Sequence, residues 1–157
     1  METAVKNDYL LRISQATPTQ LVVINYEILT DYIREALAAY DTDQPAFTQA
    51  VDKAKNALVQ LMLGLDLSIT LAQDLFRIYT YINQRLNTAF FSRDRDAAEE
   101  ALTLAETLLT GWRAAAGQDT ETQPVIGGAP SVYAGLTYQK DGLSEYVNQD
   151  DDRGYQA

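Results

Sequence analysis

Residues 17 to 33, TPTQLVVINYEILTDYI, constrain the fold more than any other stretch. Thr17 and Gln20 have capping-box spacing, with a hydroxyl at the N-cap and an amide side chain at N3. Pro18 falls at N1, where its missing N–H would have no helical partner. The spacing predicts a helix from Thr17 to about Tyr40, where YDTDQP sets turn formers against a proline. This helix carries two apolar stripes. Leu21, Ile24, Ile28, Tyr32, Ala36 and Ala39 form one; Val22, Tyr26, Leu29, Ile33, Leu37 and Tyr40 form the other. A narrow strip of Glu27, Asp31, Arg34 and Ala38 remains, bordered by Val23, Asn25, Thr30 and Glu35. A helix apolar over more than half its circumference is central in its domain or has something laid against it. The residues before it, the residues after the last helix, or another chain are available covers; broad burial within a bundle is the plain alternative.

Three more helices follow by the same reasoning. Phe47, Val51, Ala54, Leu58, Leu61 and Leu65 alternate steps of four and three, the mark of one buried stripe. Ala72, Leu75, Tyr79, Ile82, Leu86 and Ala89 repeat the pattern, with Ser68 as the expected cap. Ala98, Ala101, Ala105, Leu108, Trp112 and Ala115 form the last stripe, capped by Ser92, Asp94 or Asp96. Short connections make neighbouring helices antiparallel. Ahead of them, Val5, Tyr9 and Ile13 at i, i+4 and i+8 suit a short amphipathic helix or arm. The expected fold is therefore all-α: an antiparallel four-helix bundle over residues 17–116, an N-terminal arm over 1–16 and a flexible tail over 117–157. The tail holds most of the glycines, yet Tyr133, Leu136, Tyr138, Leu143, Tyr146 and Tyr155 recur along it. It reads either as a docking strip for a partner or as a segment that covers its own domain.

Charge and composition exclude much. Twelve basic against 22 acidic residues give a net charge of −10, the wrong sign for nucleic acid or an anionic membrane. With no cysteine and no histidine, thiolate and imidazole metal sites, Cys nucleophiles and Ser-His-Asp triads are all ruled out. No segment has the length of a spanning helix, and METAVKNDYL lacks the form of a secretory signal, so a soluble intracellular protein is expected. Glu99 and Glu100 open a helix where carboxylates suit the dipole, and RDRD at 93–96 reads as a solvated turn. VIGGAP lacks the strand and lysine of a phosphate loop, and Asp150 to Asp152 lack the spacing of a calcium loop. No catalytic constellation emerges; no enzyme activity, cofactor or metal is expected.

One family shares several of these pieces in order. Tyr9 leads into ISQATPTQLVVINYEI, where Ala16, Thr17, Pro18, Leu21, Tyr26 and Glu27 follow its helix-start pattern. QLMLGLD supplies Leu61, Met62, Leu65 and Asp66; DLFRIYTYINQRLNTA supplies Leu75, Tyr79, Tyr81, Arg85, Leu86 and Ala89; Trp112 falls near the last helix end. Over about residues 5–116 the chain resembles the FliS family of flagellin-specific export chaperones. It departs where Asn25 replaces a leucine and Ile28 a glycine. The resemblance implies a cytoplasmic helical bundle that binds the C-terminal segment of flagellin, prevents premature polymerisation and delivers it to the flagellar export gate. It also implies that the N-terminal arm occupies a site the client later takes. With the second stripe facing outward, the expected flagellin groove comprises Tyr9, Leu10, Ile13, Val22, Tyr26, Leu29, Ile33, Met62, Leu65 and Tyr79. The tail is expected to fold back across that groove as a client mimic. The second functional class is an adaptor or regulatory bundle that self-associates or binds a different helix.

Overall fold

Thr17 starts its helix as the capping box requires. Its hydroxyl accepts from the Gln20 backbone N–H at 3.3 Å, and the Gln20 side-chain oxygen accepts from the Thr17 N–H at 2.9 Å. A computed structural model describes residues 1–118, which form five helices and no strand. They are α1 (Thr3–Gln15), α2 (Pro18–Ala39), α3 (Gln44–Leu63), α4 (Thr70–Ser92) and α5 (Arg95–Gln118). No helix among them is long and apolar enough to cross a membrane. The expected tail lies outside the described residues, except that Gly117 and Gln118 continue α5. One glycine at a helix end costs only about 1 kcal/mol, and no proline follows until Pro124.

The other ends are fixed by side chains. Asp43 caps α3 by accepting from the Ala46 N–H at 3.0 Å, and Asp94 accepts from the Ala97 N–H at 3.0 Å to start α5. Ser68 does not cap α4, contrary to expectation; Ile69 holds that position with no side-chain bond. The Ser68 N–H and hydroxyl both donate to Asp66 Oδ1, at 3.0 and 2.7 Å. A carboxylate two residues away is a stronger acceptor than a hydroxyl, so it takes the serine out of the cap. The hydroxyl bond, then the backbone bond, hold the Asp66 carboxyl below its ordinary pKa. Between α4 and α5 the chain turns on Arg93, in the left-handed region at φ 49°. The Tyr40 hydroxyl donates to the Arg93 carbonyl at 3.0 Å, which pins this strained residue.

Helix α2 is central, packing on α3, α5 and α1, while α4 packs on α3 and α5. All six stripe residues of α4 are buried, as are Phe47, Val51, Ala54, Leu58 and Leu61 of α3. Leu65 lies past the end of α3 and is only partly buried. On α5 the buried leucine is Leu109 rather than Leu108, which is half-buried beside it. A step of four from Ala105 and of three to Trp112 keeps Leu109 on the inner face. Four buried alanines, Ala97, Ala98, Ala101 and Ala105, let the α5 backbone come close to its neighbours.

Candidate partner-binding surface

Helix α1 lies back along α2. Its buried apolar anchors are Tyr9 and Ile13, one turn apart; Val5, expected on the same stripe, is exposed and Lys6 is buried instead. Three polar links fix the helix. The Met1 α-amino group sits 2.7 Å from Glu35, the Tyr9 hydroxyl donates to Asp31 at 2.6 Å, and Arg12 pairs with Glu27 at 2.6 Å. Glu27, Asp31 and Glu35 succeed one another at four-residue spacing, one line along α2. That line runs through the strip read from sequence as polar: it is where α1 is seated. Burial first, then the bond to Asp31, push the Tyr9 phenol above its ordinary pKa, so it stays a donor.

Glu27 also reaches the other side. Arg113 of α5 pairs with it at 2.9 Å, so one partly buried carboxylate ties α1, α2 and α5 together. Arg12, Gln15 and Ala16 share a cleft of about 430 Å³ with Val23 and Ile24 of α2 and Arg113 and Ala116 of α5. The apolar flank of α2 that meets α1 therefore includes Ile24, a member of the first stripe.

The second stripe has another destination. Val22, Tyr26, Leu29 and Ile33 are fully buried. The Tyr26 hydroxyl lies 2.5 Å from that of Tyr79 on α4, with their rings edge-on at 6.1 Å between centroids. The Trp112 ring of α5 lies 6.5 Å from the Tyr26 ring. Through these rings the second stripe turns inward to α4 and α5, not outward as expected from the sequence, while the first stripe is buried as expected. The first stripe lies toward α3 and α1 instead: Lys53 of α3 sits over the Tyr32 ring at 5.7 Å, and Ile24 lines the cleft beside α1. Periodicity alone separates two stripes but cannot say which neighbour each meets. Burial first, then the neighbouring phenol, raise the Tyr26 pKa; burial likewise raises that of Tyr79.

The ten expected groove residues thus fall into three places. Val22, Tyr26, Leu29, Ile33 and Tyr79 are in the core; Tyr9 and Ile13 are the anchors of α1, with Leu10 half-buried beside them; Met62 and Leu65 lie at the α3–α4 corner. At that corner the structure exposes apolar residues that stripe-counting passed over. Leu63, Leu67 and Leu71 are 74%, 48% and 39% exposed, and Met62, Leu65 and Ile69 are only partly covered. A signal was present in the sequence. From Leu61 to Leu71 every second residue is leucine or isoleucine, and a helix end followed by a turn cannot bury a two-residue repeat on one face. Val59, Phe76, Ile78 and Tyr81 add further exposed apolar surface on α3 and α4.

The family model for flagellar protein FliS matches residues 1–119, from the start of α1 to the end of α5. The chain belongs to the FliS family. This is a family of flagellar export chaperones, so the chain's place is in flagellar biogenesis and its work is that of a chaperone for flagellar proteins. No curated protein matches the chain. Within this FliS domain the two departures both sit on α2. Ile28 is buried, and Asn25 is fully buried with neither amide atom hydrogen-bonded.

Proposed function

We propose that this FliS-family protein binds the C-terminal segment of flagellin in the cytoplasm, prevents its premature polymerisation and presents it to the flagellar export gate. The observation that carries the reading is α1: a single amphipathic helix seated on the bundle by two buried side chains and a line of polar links. Such a seat is a groove already occupied by a helix. A client segment with apolar residues at i and i+4 fits the same geometry, the helix-in-groove mode. Displacing α1 exposes the Glu27–Asp31–Glu35 line and the flank carrying Ile24. The exposed apolar surface of α3 and α4 extends the area available to a longer client. A disordered client that orders on binding needs a large apolar contact to offset its ordering cost.

The scaffold under this reading is an antiparallel four-helix bundle of α2 to α5 with α1 laid against it. Contacts of Tyr40 with Phe47 and Tyr32 with Lys53 support opposite directions for α2 and α3. Those of Tyr26 with Trp112, Glu27 with Arg113 and Arg34 with Glu106 support the same for α2 and α5. Filament growth provides the test. Equimolar protein added to monomeric flagellin is expected to suppress the rise in light scattering that accompanies polymerisation; an unchanged growth curve sinks the proposal.

A further inference from the structure

The apolar corner between α3 and α4 has a candidate occupant within the same chain. Tyr40 stacks edge-on to Phe47, and Lys53 lies over Tyr32, so the end of α3 lies toward the start of α2. Trp112 and Arg113 meet Tyr26 and Glu27, so the end of α5 also lies toward the start of α2. Gln118 therefore leaves the domain at the end of the molecule that displays Leu63, Leu67 and Leu71. Thirty-nine residues, 119–157, follow it. Helix axes pack about 8–10 Å apart, so the corner is within a few nanometres of the exit point. The fifteen residues from Gln118 to Tyr133 span up to ~50 Å when extended, so Tyr133 and the residues after it can reach the corner.

We propose that residues 133–146 dock on the α3–α4 corner, with Tyr133, Leu136, Tyr138, Leu143 and Tyr146 covering Leu63, Leu67 and Leu71. These five supply the large apolar side chains of the segment. The tether gives the segment an effective concentration in the millimolar range, which a free partner must exceed. A second copy is disfavoured in the same place, because each chain carries a net charge of −10. The docking stands without reference to flagellin. Only its consequence, competition with a client that uses the same apolar surface, rests on the proposed function.

The chain has no cysteine, so Thr70→Cys offers a unique attachment point for a spin label between Ile69 and Leu71. In the full chain, paramagnetic broadening of the amide signals of residues 133–146 is expected. It should disappear when Leu67→Ser and Leu71→Ser, both at exposed positions that leave the core intact, are combined with the label. Broadening that persists in that variant would mean nearness without docking and overturns the proposal. So does the absence of broadening, or broadening found only between labelled and isotope-enriched copies in a mixture, which assigns the corner to a second copy. A separate titration with the flagellin C-terminal segment reads the consequence: added segment is expected to relieve the broadening as it displaces residues 133–146 from the corner. Failure of this titration with broadening intact leaves the docking standing and counts against the client reading.

Discussion

Asn25 sits fully buried on α2 with both amide atoms unpaired, and leucine has a similar shape with no polar atom to satisfy. An unsatisfied buried polar group costs about 1–3 kcal/mol. Asn25→Leu is therefore expected to raise unfolding stability by about 1–2 kcal/mol, read as a higher urea midpoint at unchanged slope. The Tyr26–Tyr79 pair is the opposite case, two buried hydroxyls that satisfy each other. Tyr79→Phe is expected to cost about 1 kcal/mol, and Tyr26→Phe with Tyr79→Phe less than the sum of the two single changes, because both remove the same bond. Tyr9, Tyr26 and Tyr79 all have phenol pKa values raised by burial first. Unfolded tyrosine ionises near 10, so above that pH the unfolded chain releases protons that the folded chain keeps. Stability is then full below about pH 10 and falls as pH rises beyond it. A tyrosinate absorbance titration should show these three ionising only together with unfolding.

At the scale of elements, α1 is the piece held most lightly, since its main packing is on α2 while each other helix packs closely on two or more neighbours. Its amides are expected to exchange with solvent faster than those in α2 to α5, measurable by native-state hydrogen exchange. Tyr9→Phe removes the bond to Asp31 and should speed that exchange several-fold without altering the exchange of α2 to α5. The start of α2 was fully legible, because Thr17, Pro18 and Gln20 act through neighbours in sequence. The α4 stripe was legible because every member met the same core. The facing of α2 was not. Its two stripes are equally apolar, and what separates them is the position of Trp112 and Tyr79, many residues away. Nor did the line of Glu27, Asp31 and Glu35 announce α1, since a row of acids reads as solvated until Arg12, Tyr9 and the α-amino group come to meet it. The Ser68 cap failed for a local reason, the nearer carboxylate of Asp66.

For the molecule as a whole, the sequence patterns held five helices and their order, while the surface that meets a partner depended on how they assemble. Leu63, Leu67 and Leu71 sit outside every buried stripe, so counting core positions passed over this exposed apolar corner. The charge of −10 limits self-association, which leaves residues 133–146 or a client of complementary apolar pattern to cover such surfaces. The proposed function requires that a flagellin C-terminal segment take the seat of α1 and reach the exposed apolar surface of α3 and α4. Titration calorimetry of the full chain with that segment, from the same bacterium, tests it directly. Saturable one-to-one binding with a negative heat-capacity change from buried apolar area is expected. A folded protein that gives no binding heat at any temperature, and no shift of the segment on a sizing column, would contradict it.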